Sequence, residues 1–194
     1  MDLIFATHNS HKAEEINKLL PAPWNARPLS AIGYKEDVPE TGETLEDNAL
    51  QKARHIWQEL GVDCFADDTG LEIDALGGAP GVYSARYAGP GKDSTKNMQK
   101  VLKEMEGITN RRARFRTVIA LILNGETTLF EGKVEGEILR ELRGHHGFGY
   151  DPVFRPDGAA YSFAQMPLDE KNRISHRSQA IGKLVRFLEA VKNH

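Results

Sequence analysis

Cysteine is nearly absent from this sequence, and long apolar runs are missing altogether. The only cysteine among the 194 residues, Cys64, has no partner for a disulfide or a zinc site, so we expect it to be buried as a small hydrophobic side chain. No apolar run is long enough to cross a membrane, and the first residues lack the pattern of a signal peptide. These absences predict a cytoplasmic protein that makes no contact with membranes.

Excess charge of either sign is also missing. The formal net charge of −3 gives no electrostatic reason to expect nucleic-acid binding, so any anionic ligand needs local cationic groups. A composition of 40% hydrophobic and 27% charged residues is typical of a globular protein. The length of 194 residues predicts one domain, residues 1–194, which has room for two lobes.

The common nucleotide and hydrolase motifs are absent as well. The sequence has no GxxxxGK[ST] loop, no GxGxxG fingerprint, no HExxH pair and no GxSxG elbow. What it has instead is an acidic stretch, residues 64–81, in which an apolar run ends in Asp67 and Asp68. We expect a turn at Thr69-Gly70 and a second strand over 71–76. This pattern fits acids held at the end of a buried strand, but it fits an ordinary acidic turn equally well.

Two helix starts carry cationic side chains. A strand over 3–6 leads into Thr7 to Lys12, where Asn9 or Ser10 can cap a helix, and Ser175-His176-Arg177 opens a final helix to about residue 192. Exposed N–H groups at a helix start favour an anion, and Lys12 adds a full positive charge. Each start is also compatible with a plain cap beside a solvated side chain.

The remaining elements predict a mixed α/β fold. Thr44 and Gly61 delimit a helix, another helix covers about 94–106, and a strand over 113–123 leads into the hairpin turn Asn124-Gly125. Two further strands, 127–130 and 133–139, continue an antiparallel meander.

Acidic and cationic residues together suggest metal-assisted chemistry on a polyphosphate. Carboxylates with few histidines suit Mg²⁺, and cations at helix starts suit phosphates. Phe148, between two glycines, is able to stack on a base, and Asp151 to bond its edge, although Phe148 and Tyr150 are more often core residues. The acids are Glu40, Asp67, Asp68 and Asp74, and the cations are Lys12, Lys52, Lys171, His176 and Arg177.

Several segments resemble, in order, those of the inosine triphosphate pyrophosphatase family, also called non-canonical purine NTP pyrophosphatases or Ham1-like proteins. The resemblance covers nearly the whole chain, from residue 3 to about 188. The matching segments are 7–12, 40–42, 48–49, 52–54, 66–71, 77–81, 84–87, 148–154 and 175–177.

The resemblance implies an α/β fold with a mixed central sheet flanked by helices, two lobes and an active-site cleft between them, related to that of Maf proteins. It also implies a homodimer that hydrolyses dITP, ITP and XTP to the monophosphate and pyrophosphate with Mg²⁺, and so cleanses the nucleotide pool. Two positions depart from the family pattern: His8 stands where a small residue is usual, and Thr69 replaces serine.

Residue roles follow from the same resemblance. Asp68 is the expected proton acceptor and, with Glu40, a metal ligand, while Asp67 receives no role. The expected phosphate-binding residues are Thr7, His8, Asn9, Ser10, His11, Lys12 and Lys52. Thr69 is expected to touch the substrate, and the base pocket is expected to contain Phe148, Gly149, Tyr150, Asp151, Lys171, His176 and Arg177.

Two alternative functions stay open at this point. One is a Maf-type nucleotide diphosphatase acting on other modified nucleotides, and the other is a sensor that binds nucleoside triphosphates without hydrolysing them. The acidic pair beside Lys12 disfavours the sensor, because a binding protein needs cations but has little use for a poised base.

Overall fold

A mixed six-stranded sheet and five α-helices make up the fold in the computed structural model, which describes residues 1–192 apart from the side chains of His11, Glu15 and Lys192. The strands are β1 (Asp2–Phe5), β2 (Asn25–Pro28), β3 (Cys64–Ile73), β4 (Arg112–Leu123), β5 (Glu126–Ile138) and β6 (Phe154–Pro156). The helices are α1 (Ser10–Asn17), α2 (Leu45–Leu60), α3 (Ser94–Glu104), α4 (Leu168–Ile174) and α5 (His176–Lys192).

The strand order across the sheet is β2-β1-β3-β4-β5-β6. β1 runs parallel to both β2 and β3, with Leu3 opposite Ala26 and Ile4 opposite Cys64, whereas β5 and β6 are antiparallel. The predicted hairpin is confirmed, since only Asn124 and Gly125 separate β4 from β5 and both have positive φ angles. The expected mixed sheet with flanking helices is therefore present.

Two compact units divide the chain. Unit 1 comprises Met1–Asp68, Thr117–Glu131 and the chain from Gln179 onward, and unit 2 comprises Thr69–Arg116 and Gly132–Ser178. Each unit has its own hydrophobic core, built around Phe5, Phe65 and Leu184 in unit 1 and around Ile73, Phe154 and Phe163 in unit 2. The predicted single two-lobed domain, with a cleft between its lobes, stays a prediction.

The acidic stretch differs from the sequence-based expectation. β3 continues without interruption from Cys64 to Ile73, so the predicted turn at Thr69-Gly70 is wrong. β1 pairs with β3 only at Cys64 and Phe65, so the strand next to β3 on its other edge, β4, is the neighbour that outweighs the local turn preference of the Asp-Thr-Gly sequence. The meander is also simpler than expected, because β5 is one strand over the whole of Glu126–Ile138.

Helix boundaries follow the capping signals closely. The side chain of Asn9 accepts a hydrogen bond from the Lys12 N–H at the start of α1, and Thr44 accepts one from Asp47 at the start of α2. Gly61 ends α2 in the left-handed conformation, as predicted. The short elements β2, β6 and α4 were not predicted, because three to seven residues give no clear periodicity.

Within residues 1–192, no helix is long and apolar enough to cross a membrane.

Candidate active site

The alternating directions of the β3 side chains place Asp67 and Asp68 on opposite faces of the sheet. Successive side chains of a strand point to opposite faces, so Phe65 and Asp67 share one face, and Cys64 and Asp68 share the other. Phe65 packs in the unit 1 core with residues of α1 and α5, while the Cys64 thiol bonds to the Ala53 carbonyl of α2. The two aspartates therefore face different helices.

Asp67 pairs with Lys12 on the α1 side of the sheet. The Lys12 Nζ donates to both carboxylate oxygens of Asp67, at 3.1 Å and 2.9 Å. Asp67 is buried and Lys12 is about one-third exposed, so the pair joins the interior of unit 1 to its surface. This contact gives Asp67 a role that the sequence analysis left open, because it fixes the ammonium group expected to meet phosphate.

Lys52 stands among three carboxylates. Its Nζ donates to Glu40 Oε1 at 2.5 Å and to the Asp67 carbonyl oxygen at 2.7 Å, and the residue is only 7% exposed. Burial lowers the pKa of Lys52, but the charges of Asp67, Asp68 and Glu40 outweigh that effect and hold the pKa above its ordinary value. Lys52 is therefore a fixed cation and not a solvated side chain.

Asp68 is oriented from α2. The amide of Asn48 donates to Asp68 Oδ2 at 3.0 Å, and its carbonyl oxygen accepts the Gly42 N–H at 2.8 Å. Because Gly42 follows the Glu40-Thr41 dipeptide, one buried amide contacts both the predicted base and the turn that carries the predicted metal ligand Glu40. The sequence analysis matched Asn48 to the family pattern but assigned it no role.

The segment before α1 supplies an exposed polar turn. Thr7 Oγ1 accepts the Asn9 N–H at 3.2 Å, and the His8 ring contacts the Glu36 carbonyl oxygen at 3.0 Å. Ser10 is the first residue of α1 and is exposed. His11 follows in α1, but its side chain lies outside the described part of the structure, so its predicted role is untested.

A second cluster lies in unit 2, around the exposed ring of Phe148. Asp151 Oδ2 accepts the Phe148 N–H at 2.9 Å and a hydrogen bond from Lys171 Nζ at 2.5 Å. Lys171 Nζ lies 4.8 Å from the centroid of the Phe148 ring, and the Arg177 guanidinium lies 5.3 Å from it. The ring is therefore flanked by cations while most of its surface is open to solvent, as a stacking platform for a base requires.

His176 and Arg177 have unused hydrogen-bonding capacity. His176 stacks on Phe115, with ring centroids 4.8 Å apart, and burial, with the nearby charges of Arg177 and Lys171, lowers the pKa of His176 to about 3. Its imidazole is therefore neutral near pH 7. His176 Nδ1 and Arg177 Nε are buried and have no hydrogen-bond partner among the described residues. Such atoms need a partner, and a bound polar ligand is one way to supply it.

The other predicted base-pocket residues have mainly structural contacts. The Tyr150 ring lies in the core of unit 2, and its hydroxyl donates to the Ser84 carbonyl oxygen at 2.6 Å. Gly149 has a positive φ angle of 62°, in the turn that presents Phe148. Thr69 follows Asp68 in β3, at the first residue of unit 2.

The donors in unit 1 fit magnesium by chemistry. Among residues 1–192 no cluster of three His, Cys, Asp or Glu side chains could hold a metal ion. Mg²⁺, however, usually takes only one or two carboxylates and completes its shell with water and substrate phosphates. Glu40 and Asp68 are carboxylates of this kind, and both lie near Lys52. The five charged groups of this cluster carry a formal charge of −1, from two lysines and three carboxylates.

Gly147 is a site residue that the sequence analysis missed. It has a φ angle of 78°, and a Cβ atom there would lie 2.0 Å from Asp151 Oδ2. Only glycine therefore lets the chain pass the Asp151 carboxylate while Phe148 donates to it.

A comparison with known families gives a match over almost the entire chain. The model of the Ham1 family covers residues 3–187. The chain belongs to the Ham1 family. The dITP/XTP pyrophosphatase of Christiangramia forsetii is 52% identical over 188 residues, 97% of this chain and 99% of that protein. The enzyme of the same name from Bacillus subtilis is 47% identical over 193 residues, with 97% and 98% coverage.

Solved structures of Ham1 proteins have the same fold. The Staphylococcus aureus Ham1 protein superposes with a TM-score of 0.93 at 39% identity, and covers 98% of this chain and 99% of its own. A HAM1 protein from Coxiella burnetii gives the same TM-score and coverage at 40% identity. The family predicted from the sequence motifs is thereby confirmed.

Proposed function

We propose that this Ham1 protein hydrolyses dITP, ITP and XTP to the nucleoside monophosphate and pyrophosphate. The observation that carries the proposal is the cluster in unit 1, where Asp68 and two lysines occur together in a chain about half identical to proteins named dITP/XTP pyrophosphatase. A protein that only bound nucleotides would need the lysines but not a carboxylate held in place for proton transfer.

Asp68 is the base in this proposal. A water molecule attacks the α-phosphorus and gives its proton to the Asp68 carboxylate, while the bond to the bridging oxygen breaks and pyrophosphate leaves. Lys52 offsets the negative charge that develops, because three carboxylates keep it protonated. The Lys12 ammonium group, which contacts Asp67, would also contact the phosphates and supply positive charge there.

Magnesium is part of the proposal, and the charge of the unit 1 cluster supports it. A cluster with a net charge of −1 does not by itself attract a triphosphate, and a divalent cation that accompanies the substrate would offset this charge. Glu40 and Asp68 would hold Mg²⁺, which would neutralise phosphate charge and assist the departure of pyrophosphate.

Unit 2 would recognise the purine. Phe148 offers a ring for stacking, and Arg177 Nε and His176 Nδ1 offer buried polar atoms that need partners. Hypoxanthine and xanthine carry a carbonyl at position 6, which accepts a hydrogen bond from Arg177, whereas adenine presents an amino donor there. Mispairing a buried donor with a donor discriminates strongly between substrates.

Two further properties belong to the proposal. Action as a homodimer is an expectation from the family resemblance, and location in the cytoplasm is likewise an expectation.

The product identifies the bond that is broken. We expect the first phosphorus product formed from ITP with Mg²⁺ to be pyrophosphate, measured by ³¹P NMR in the absence of any inorganic pyrophosphatase. Release of orthophosphate with IDP would contradict attack at the α-phosphorus.

A further inference from the structure

Asn48 connects two parts of the unit 1 cluster that are far apart in sequence. It lies in the first turns of α2 with 2% of its surface exposed, and its backbone N–H donates to the Thr44 carbonyl oxygen at 3.1 Å. Thr44 also caps the helix, so Asn48 is mounted on a well-defined helix start.

The side-chain amide of Asn48 uses both of its ends. Nδ2 donates to Asp68 Oδ2 at 3.0 Å, and Oδ1 accepts the Gly42 N–H at 2.8 Å. Gly42 comes this close only because it lacks a side chain: a Cβ atom would lie 2.9 Å from Asn48 Oδ1 and 2.5 Å from Asp47 Cβ. The absence of a side chain at Gly42 therefore allows the Gly42 N–H to reach the Asn48 side chain.

A second amide, one helical turn later, holds the same segment. Gln51 Oε1 accepts the Thr41 N–H and its Nε2 donates to Thr41 Oγ1, both at 2.8 Å. Residues 41 and 42 are therefore tied to α2 at two points, which fixes the backbone immediately after Glu40. The amide of Asn48 also contacts Asp68.

We propose that Asn48 is a positioning residue that sets the orientation of the Asp68 carboxylate and ties it to the Glu40–Gly42 turn. The proposal rests on the proposed function, since it assumes that Asp68 acts as the base. A donor fixed on Oδ2 holds the plane of the carboxylate, and outer residues of this kind typically account for about 10- to 100-fold in activity.

The two bonds of Asn48 are separable by substitution. Asn48→Asp keeps an acceptor for the Gly42 N–H but removes the donor to Asp68, whereas Asn48→Ala removes both. Asn97→Asp is the matched control: Asn97 is 3% exposed, and its side chain makes three hydrogen bonds to backbone atoms of unit 2 (Ser84 O, Ala85 O and Ala88 N).

For Asn48→Asp we expect kcat for dITP to fall by about 10- to 100-fold with KM nearly unchanged. We expect the Gly42 amide, followed by residue-resolved NMR hydrogen exchange, to stay protected in Asn48→Asp and to lose protection in Asn48→Ala. Asn97→Asp should leave kcat and the Gly42 amide near their wild-type values, even if it lowers the melting temperature.

Three results would overturn the proposal. The first is a kcat of Asn48→Asp close to that of the wild type, and the second is a change in Asn48→Asp that affects KM alone. The third is a Gly42 amide that is as well protected from exchange in Asn48→Ala as in the wild type. If the wild type releases no pyrophosphate, the proposed function fails instead. The exchange of the Gly42 amide then still decides whether Asn48 holds the turn.

Discussion

The neighbouring aspartates of β3 have different partners because a strand directs successive side chains to opposite faces. Asp67 is engaged by Lys12, while Asp68 meets the amide of Asn48. The contacts therefore separate the two carboxylates: Asp67 holds Lys12, and Asp68, the proposed base, is oriented from α2.

The base assignment predicts the effect of Asp68→Asn. This change keeps the shape of the side chain but removes its ability to take a proton, so kcat for dITP should fall by about 10²- to 10⁴-fold. Nucleotide binding, measured by isothermal titration calorimetry, should remain detectable.

Asp157→Asn is the control for this experiment, because Asp157 pairs with Arg112 on the surface of unit 2. Its activity should match that of the wild type. Near-normal turnover by Asp68→Asn would show that another group accepts the proton.

The sequence shows the chemical types of the candidate site residues but not their contacts. The motifs led to Asp68, Lys12 and Lys52, because their chemical types and order are visible in the sequence. The role of Asn48 was not visible, since an asparagine in a helix start is usually unremarkable and its partner Asp68 is 20 residues away. The burial of Lys52 was missed for the same reason, because its partners lie outside α2.

At the scale of elements, local signals predicted the ends of helices but not the extent of strands. Caps depend on a few adjacent residues, and Asn9, Thr44 and Gly61 act as expected. The continuity of β3 through Thr69-Gly70 depends on neighbouring strands, which the local sequence does not reveal.

The turn that presents Phe148 should be sensitive to a methyl group at residue 147. Gly147→Ala places a Cβ atom against Asp151 and should displace its carboxylate from the Phe148 N–H. The loss of a hydrogen bond to a charged group should raise KM for dITP by about tenfold or more.

Gly158→Ala provides the control for backbone strain. Gly158 has a φ angle of 77°, almost the same as that of Gly147, but a Cβ atom there meets nothing within 4 Å. Both variants should lose about 1 kcal/mol or more of stability from the left-handed conformation. An equal KM for the two variants would contradict the role given to Asp151.

The start of α5 predicts a pH-dependent stability. Burial and nearby cations lower the pKa of folded His176 to about 3, whereas an unfolded histidine has a pKa of about 6.5. Below pH 6.5 His176 is protonated in the unfolded state but stays neutral in the folded state. Its contribution to the free energy of unfolding is therefore fully present above pH 6.5. The contribution falls by about 1.4 kcal/mol per pH unit below pH 6.5, and the loss ends near pH 3.

Urea unfolding between pH 7 and pH 4.5 measures this contribution. His176→Gln should show a shallower loss of unfolding free energy with falling pH than the wild type, since glutamine does not titrate. His145→Gln, at an exposed histidine, should keep the wild-type slope. Equal slopes for all three proteins would mean that His176 binds a proton in the folded state.

At the scale of the whole molecule, the sequence analysis predicted the family, the mixed sheet and its flanking helices. The strand order and the residues that belong to each unit could not be predicted, because both depend on contacts between distant residues. The stacking of Phe115 on His176, for example, joins positions 61 apart in the sequence. Unit 1 contains the proposed base and lysines, and unit 2 contains the proposed purine-binding residues.

The most direct test of the central claim is the rate of pyrophosphate release by the wild type with Mg²⁺ from dITP, XTP, dATP and dGTP. If Arg177 and His176 select for a 6-carbonyl, kcat/KM for dITP and XTP should exceed that for dATP by about 10²-fold or more. Similar values for dITP and dATP, or no release of pyrophosphate from dITP, would contradict the proposed function.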